Sequence, residues 1–484
     1  QRTNEVGSGG MSWLELSRRR VGALALSGLV AACGGTERRA APPSPPPTAP
    51  PPPTAARAEA SWHPELAFAG GKWTVTYRFP TPQRAVLFDT AHGDYRRNHW
   101  SAEQSGVSLE SLHGLDGMFF EVPTSTVRLS VEVPSEPTEG TLAFIPFSDG
   151  SHAIWGGQLA LLTIEDRAAA EALEGDLRRW HGEQPPVEIR ATSERPLLGP
   201  DGPGATLSGR AQEGGGPFFY TGPIDDPELI LDRGLPGWVR DAFEEQMPRV
   251  RATLEAAWSE RLEPPQLMLA WGGGAGPWSN RGRAEGRQIA MLIAGADYLE
   301  RSDARFADLV WFFAHEWTHR HQFVADGDGD AWMIEGFADT LATDVLVRVG
   351  LWGKGDLERR YWSVARECAR LLAGRRLSES KGRIAYVCGD LVGVALMAVL
   401  PDHDLPALWK AARTAAGGRV TRATLLQAAR ERGAAEDGVT IIDDFVSGLR
   451  DDTDRAIRDM LEGAKLDPSY RDGSLSSMAF PHLW

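Results

Sequence analysis

The chain has 484 residues, of which 42% are hydrophobic and 24% are charged, as in ordinary globular proteins. This length corresponds to about three domains of roughly 150 residues each, and it excludes a small disulfide-stapled peptide. The formal net charge of -15 at pH 7 repels phosphate backbones, so we expect no nucleic-acid partner.

Residues 1–33 are read as upstream residues at 1–10 followed by an export signal, and we expect Met11 to be the natural start. Three arginines at positions 18–20 precede an uncharged stretch of 12 residues at 21–32, which is too short to span a bilayer. The stretch ends in the sequence LVAAC, which resembles the lipobox of bacterial lipoproteins, in which the cysteine carries the lipid. This resemblance implies an exported protein anchored to a membrane through Cys33, and Gly34 favours the outer membrane. A plain secretory signal with a chance cysteine is the alternative.

Residues 34–60 form a linker, in which nine of the twelve residues at 42–53 are proline. Such a run favours polyproline II at about 3.1 Å per residue, and so a spacer of roughly 37 Å. The linker would hold a folded domain away from a membrane.

Residues 61–213 are predicted to form a β-rich domain. Alternating apolar and polar residues at 73–79 and 127–133 are typical of half-buried strands, and 142–147 and 187–191 follow the same pattern. We expect a mainly antiparallel domain with one helix near 165–179, followed by a Gly- and Pro-rich boundary at 196–217. We find no catalytic motif in this part.

Residues 214–400 are predicted to form a second, mostly helical domain that continues into a helical C-terminal part at 401–484. A helix from Pro236 to Trp258 is kinked or split at Pro248. Two apolar strands follow at 267–271 and 289–294, separated by a glycine-rich turn at 272–276, and the chain is mainly helical from Asp303 onward.

The sequence His315-Glu316-Trp317-Thr318-His319 contains the HExxH pattern. The two histidines lie one helical turn apart, so both imidazoles can reach one metal ion. Glu316 lies on the flank, where its carboxylate can accept a proton from a water molecule that attacks a substrate. The motif alone would also fit a helix with two ordinary surface histidines.

A hydrolytic zinc site needs three protein ligands, and Glu335 is the candidate for the third. It lies 16 positions after His319, on a predicted second helix. Asp339 follows one turn later on the same face, where it can orient a ligating histidine. Gly336 costs helix stability, which is reasonable if another backbone passes close by.

HExxH followed by the WxxEGFAD segment at 332–339 resembles the gluzincin metallopeptidases, particularly the alanyl and glycyl aminopeptidase families. The YxxG-like segment at 386–389 is similar to one whose tyrosine hydrogen-bonds the tetrahedral intermediate, so the resemblance implies this role for Tyr386. It also implies the fold class: a multidomain α+β protein with an antiparallel, β-sandwich-like N-terminal domain. A thermolysin-like, mostly helical zinc-peptidase domain with a small sheet follows it.

The sequence departs from these families in two places. Their exopeptidases carry a GxMEN-type segment whose glutamate binds the free amino terminus of the substrate, and here Glu285 is the only nearby candidate, with a poor match. The interval from His319 to Glu335 is also a few residues shorter than usual, which could shift the third ligand. The choice between exopeptidase and endopeptidase stays open.

Other potential sites have simpler explanations. The aspartates at 326, 328 and 330 do not complete a calcium-binding loop and indicate a solvated turn with a helix cap. His321 points away from the other two histidines around the helix and is expected to be structural. Cys368 and Cys388 are either bridged or two buried thiols.

The sequence therefore predicts an exported zinc peptidase, with His315, His319 and Glu335 as metal ligands and Glu316 as the base. Its partners would be a peptide or protein substrate and, through the lipid, a membrane. Substrate is expected to pair with an exposed edge of the strand at 289–294. The alternatives are a non-catalytic lipoprotein that uses this fold as a binding or scaffold module, and a metal enzyme that hydrolyses something other than a peptide.

Overall fold

The structure is a computed structural model that describes residues 62–134, 142–182, 184–211, 215–322, 331–471 and 474–479. The predicted signal with Cys33, the proline-rich linker and the aspartate-rich turn at 326–330 lie outside these residues. Among the described helices, none combines the length and the apolar character that crossing a membrane requires.

Most of the described strands lie in the first half of the chain. In chain order they are β1 (Glu65–Ala69), β2 (Lys72–Phe88), β3 (Trp100–Ala102), β4 (Val107–Leu112), β5 (Leu115–Val131), β6 (Phe144–Pro146), β7 (His152–Trp155), β8 (Leu161–Ile164), β9 (Val187–Ser193), β10 (Leu197–Gly199), β11 (Gly202–Pro203), β12 (Thr206–Ala211), β13 (Phe218–Thr221), β14 (Leu229–Leu231), β15 (Gln266–Trp271), β16 (Ser279–Glu285), β17 (Gln288–Ala294), β18 (Asp467–Arg471) and β19 (Ser474–Ala479).

The described α-helices fall mainly in the second half. In chain order they are α1 (Tyr95–His99), α2 (Arg167–Glu171), α3 (Gly237–Trp258), α4 (Asp303–Gln322), α5 (Ala331–Arg348), α6 (Lys354–Leu372), α7 (Arg383–Val399), α8 (Leu405–Ala415), α9 (Arg422–Glu431), α10 (Glu436–Ser447) and α11 (Thr453–Gly463).

Eight strands form the larger N-terminal sheet, in the order β12-β9-β1-β2-β5-β3, with β4 on β5 and β8 on β2. Most of its pairs are antiparallel, and β1 with β9 is parallel. The predicted strand at 73–79 lies in β2, and the one at 127–133 lies in β5 as far as Val131, which is opposite Trp73. Trp73, Val75 and Tyr77 are buried, which is the reason for the alternating pattern in the sequence.

A second N-terminal sheet has the order β11-β10-β13-β7-β6. The helix predicted at 165–179 is shorter than expected, since α2 ends at Glu171. Glu174 and Gly175 adopt positive φ angles of 52° and 82°, which reverse the chain and prevent the helix from continuing.

A third sheet, in the order β14-β15-β17-β16, lies beside the helical part. The prediction of an exposed edge at 289–294 is wrong, because β17 pairs with β15 on one side and with β16 on the other. The outer strand is β16, whose sequence SNRGRAE lacks the apolar alternation of a buried strand. An edge strand with half-buried side chains on both faces gives little hydrophobic signal, which explains why the sequence pattern did not reveal it.

The helices are assembled around α4, α5 and α7. α3 continues through Pro248 and is not split there. α5 crosses α7 at two glycines: a Cβ atom on Gly336 would lie 2.1 Å from the carbonyl carbon of Gly389, and one on Gly389 would lie 2.2 Å from the carbonyl oxygen of Trp332. The close backbone predicted from Gly336 is therefore that of α7. A disulfide bond between Cys368 and Cys388 joins α6 to α7.

The two halves of the described chain share an apolar contact. The main helical core extends from Leu235 to Leu466. A separate cluster packs the second N-terminal sheet, through Trp155 and Phe218, on the third sheet, through Met268 and Leu292. The protein is thus a multidomain α+β protein in which the N-terminal sheets pack on the sheet that borders the helices. The domain boundaries given above stay predictions.

Candidate metal centre

The two histidines of HExxH converge as the helical spacing requires. His315 Nε2 and His319 Nε2 lie 3.0 Å apart on α4. Both rings are largely buried, with side-chain exposures of 4% and 16%. The chain therefore directs two ring nitrogens into one small space.

Glu335 on α5 supplies the third donor. Its Oε2 atom lies 3.3 Å from His315 Nε2 and 3.4 Å from His319 Nε2. The three side chains form a potential metal-binding group in which one ligand atom from each lies within 4.8 Å of the others. The shorter interval between His319 and Glu335 has therefore not moved this carboxylate away.

The donor set fits zinc. Two neutral imidazoles and one carboxylate are the ligands of many hydrolytic zinc sites. Glu335 Oε2 is buried and makes no hydrogen bond of normal geometry within the described part of the chain. Burial raises the pKa of Glu335, but His319 and His315 outweigh it and bring the pKa well below its ordinary value. The carboxylate is thus ionised, as a metal ligand must be.

Asp339 lies behind His315. Its Oδ1 atom is 2.7 Å from His315 Nδ1, on the side of the ring opposite to the cluster. Burial lowers the pKa of His315, but Asp339 and Glu335 together raise it well above its ordinary value. Arg360 on α6 lies between two buried carboxylates, 3.8 Å from Asp339 and 2.7 Å from Asp390. This arrangement fixes the orientation of His315 in the way that outer carboxylates do in zinc sites.

Gln322 has the equivalent position behind His319, although no motif in the sequence indicated it. Its Oε1 atom lies 2.7 Å from His319 Nδ1, and its side-chain amide donates to the carbonyl of Ile334 at 2.9 Å. Gln322 follows His319 by three residues and so shares its helix face, which is the signal that could have identified it. The contact also connects the end of α4 to the start of α5.

Glu316 is buried against the edge strand, with 4% of its surface exposed. A Cβ atom at position 282 would lie 2.0 Å from Glu316 Oε1, so only glycine in β16 leaves room for this carboxylate. Burial raises the pKa of Glu316, while the nearby His315 and His319 lower it in part. A carboxyl group with a raised pKa is a better proton acceptor than one in water.

Tyr386 on α7 lies next to the cluster. Its ring stacks on that of His315, with 5.8 Å between centroids and 19° between planes. Burial, followed by the negative charges of Glu335 and Glu316, raises the pKa of the Tyr386 hydroxyl. The hydroxyl therefore keeps its proton and can donate a hydrogen bond. The Gly336–Gly389 crossing permits this approach, because it brings the backbone of α7 against that of α5.

Two other candidates lie elsewhere. His321 is fully buried and stacks on Trp258 at 5.2 Å, and burial next to Arg320 lowers its pKa to about 3. Cys388 forms the disulfide with Cys368 and has no thiol to react. The geometry thus concentrates the chemistry in His315, Glu316, His319, Glu335 and Tyr386.

No protein-family model matches the chain, and no curated protein sequence matches it. Among solved structures, an aminopeptidase N family protein from Idiomarina loihiensis matches 85% of this chain and 80% of its own, with a TM-score of 0.54 and 11% identity. This chain has an aminopeptidase N-like fold. At such low identity the likeness shows the fold alone.

Two further structures match with lower TM-scores. One is a variant M1 zinc metallopeptidase from Deinococcus radiodurans bound to a Tyr-Ser-Ala substrate, with a TM-score of 0.42 and 15% identity over 81% of this chain and 93% of that one. The other is a two-domain M1 zinc metallopeptidase variant bound to L-arginine, with a TM-score of 0.41 and 14% identity over the same shares of the two chains.

Proposed function

We propose that this protein is a zinc-dependent peptidase that hydrolyses peptide bonds with an activated water molecule. The observation that carries the proposal is the convergence of His315, His319 and Glu335, with one ligand atom from each within 4.8 Å of the others. The proposal assigns these three side chains as zinc ligands. A bound zinc ion would polarise the scissile carbonyl and lower the pKa of the attacking water.

The chain's own side chains would perform the remaining steps. The Glu316 carboxylate accepts the proton of the attacking water and returns it to the leaving amine. The Tyr386 hydroxyl donates a hydrogen bond to the oxygen that becomes negative in the transition state. Asp339 and Gln322 hold the rings of His315 and His319 in the orientation that directs both Nε2 atoms into the cluster. Because β16 is an outer strand and β17 is not, an extended substrate would pair with the edge of β16.

We also propose that the protein is exported and anchored through a lipid on Cys33, with the outer membrane as its location and membrane partner. The Cys368–Cys388 disulfide supports export, because disulfide bonds persist in oxidising compartments and are rare in the cytosol. The aminopeptidase N-like fold supports the finer architecture of a β-sandwich-like domain followed by a thermolysin-like catalytic domain.

The test measures zinc content and peptide hydrolysis for the parent protein, Glu316→Gln and His319→Ala. Glu462→Gln, an exposed substitution on α11, is the matched control. We expect one zinc ion per chain in the parent, the control and Glu316→Gln, and hydrolysis only by the parent and the control. Stoichiometric zinc without hydrolysis in the parent would instead support a non-catalytic binding or scaffold module. Equal hydrolysis by all four proteins would contradict the assigned site.

A further inference from the structure

Helix α8 holds the end of α4, the helix that carries HExxH. Two side chains of α8, one helical turn apart, donate hydrogen bonds to neighbouring carbonyl oxygens in the last described turn of α4. Trp409 Nε1 donates to the carbonyl of Gln322 at 3.1 Å, and Arg413 Nη1 donates to that of His321 at 3.2 Å. The residues joined by the first bond are 87 positions apart, so the C-terminal part of the chain helps to position the end of α4.

Trp409 also contacts α5, the helix that carries Glu335. It is 1% exposed, and its ring meets that of Phe337 edge to face, with 5.5 Å between centroids. Phe337 follows Glu335 by two positions in the same helix. An indole N–H that is buried in this way is costly to leave without an acceptor, so the ring contact and the bond to Gln322 act together. Trp409 therefore fixes the Gln322 backbone relative to α5.

The Gln322 side chain connects this backbone to the proposed metal ligands. Its Nε2 atom donates to the carbonyl oxygen of Ile334, which can only accept, at 2.9 Å. The other atom of the amide, Oε1, carries no proton and lies 2.7 Å from His319 Nδ1. The proton of this contact is therefore on Nδ1. The lone pair of His319 is then on Nε2, the atom that lies 3.0 Å from His315 Nε2 in the cluster, as a metal ligand requires.

A movement of the Gln322 backbone would disturb both ends of this amide. If Oε1 moved away, His319 would lose the contact that fixes its tautomer and its ring orientation. If Nε2 moved away, the carbonyl of Ile334, directly before Glu335, would lose this bond to α4. The two helices that carry the proposed ligands are thus joined through Gln322, whose backbone is held by α8.

We propose that Trp409 is a positioning residue of the metal centre, which acts through Gln322 on His319 and on the start of α5. The proposal rests on the proposed zinc peptidase function, and it assigns part of the ligand geometry to a helix outside the HExxH and WxxEGFAD motifs. Removal of an outer partner of a zinc ligand typically lowers metal affinity by roughly 10- to 100-fold. A donor that acts one bond further out should have an effect at the lower end of that range.

The test measures the zinc affinity of the full chain by competition with a chelator, at a temperature where circular dichroism shows every variant to be folded. Trp409→Phe keeps an aromatic ring against Phe337 but removes the N–H donor, so we expect zinc affinity to fall by about tenfold. Benzothienylalanine at position 409 has sulfur in place of the indole N–H, keeps the full ring shape and should give the same loss. Trp180→Phe is the matched control, because it removes a similar bond, from Trp180 Nε1 to the carbonyl of Thr163 at 2.8 Å, in the N-terminal region. It should bind zinc as the parent does.

A double-mutant cycle separates positioning through Gln322 from a general effect on stability. Gln322→Met keeps the length of the side chain but forms neither amide bond, and it should lower zinc affinity by about 10- to 100-fold. Adding Trp409→Phe to Gln322→Met should lower zinc affinity by less than about twofold further, because the two substitutions remove the same support. The melting temperature of the zinc-free protein should instead fall with Trp409→Phe in both backgrounds, because the smaller ring packs less well whether or not Gln322 is present.

Unchanged zinc affinity with benzothienylalanine at position 409 would overturn the inference, and so would an equal loss from Trp409→Phe in the parent and in Gln322→Met. Either result would leave the proposed peptidase function intact. The expected pattern of zinc affinities without hydrolysis by the parent would support the positioning role and overturn the proposed function. A parent protein that binds no zinc at this site would overturn both.

Discussion

The candidate site has one side formed by α4 and α5 and another formed by the edge strand β16. The first side is built from residues that are close together in the sequence, and the second from residues that are far apart. On the first side, His315 and His319 are one turn apart on a single helix, and Asp339 follows Glu335 by one turn on the next. On the second side, Gly282 touches Glu316 across 34 positions of sequence, and Glu285 contacts Trp155 across 130. Local periodicity determines the first arrangement, whereas the second depends on how separate elements pack.

The largest predicted effect tests the packing that brings α5 and α7 together. Gly336→Ala places a methyl group 2.1 Å from the backbone of Gly389, so the two helices must separate. We expect a loss of about 3 kcal/mol or more in the free energy of unfolding, measured by urea denaturation. Gly355→Ala is the control, because on α6 the new methyl group meets only the end of the Arg359 side chain, at 3.5 Å. An equally small effect of both substitutions would show that α5 and α7 do not cross at this glycine.

The next effect tests whether the tyrosine on α7 acts on the transition state. Tyr386→Phe keeps the ring that stacks on His315 but removes the hydroxyl. We expect kcat to fall about 100-fold or more with little change in KM or zinc content, as for the loss of one oxyanion donor. A variant with unchanged kcat would remove Tyr386 from the mechanism.

A third prediction tests the β16 side directly. Gly282→Ala would push the carboxylate of Glu316 out of its position, because the new Cβ atom would lie 2.0 Å from Oε1. Small displacements of catalytic groups are costly, so we expect kcat to fall by about 10- to 100-fold while zinc binding is retained. Gly237→Ala, at the exposed start of α3 with nothing within 4 Å of the new Cβ atom, is the control. Similar activities of Gly282→Ala and the parent would show that the edge strand does not position the base.

The smallest of the four effects concerns the support of His315. Asp339→Asn removes the negative charge that lies 2.7 Å from His315 Nδ1. We expect zinc affinity to decrease by about 10- to 100-fold, measured by competition with a chelator. Asp356→Asn, in an exposed pair on α6, should bind zinc as the parent does. If both variants retain the parent affinity, Asp339 does not support the site.

The sequence predicted most of the α4–α5 side because helical spacing is short-range. The HExxH spacing places His315 and His319 on one helix face. The spacing within the next segment likewise places Glu335 and Asp339 on one face of α5. Glu335, the predicted third donor, lies beside His315 and His319, although residues 323–330 between the two helices are outside the described chain. The strands at 73–79 and 127–133 were also predictable from a short-range pattern, because apolar and polar residues alternate along a half-buried strand.

The other parts of the site depend on contacts that no local pattern contains. β16 is an edge strand with mixed polar residues, so it gave no period-2 hydrophobic signal, and the wrong edge of the sheet was predicted. The contacts of Arg360 with Asp339 and Asp390 join three helices, and nothing in the sequence near Arg360 indicates its partners. Gln322 is the intermediate case, because its helix face was predictable but its contact with Ile334 on α5 was not.

The most direct test of the account is a crystal structure of the zinc-loaded protein with anomalous diffraction measured at the zinc edge. The account predicts one strong anomalous peak bound by His315 Nε2, His319 Nε2 and a Glu335 carboxylate oxygen, at about 2.0–2.2 Å from each. An anomalous peak elsewhere, with these three side chains separated and no ion between them, would contradict it.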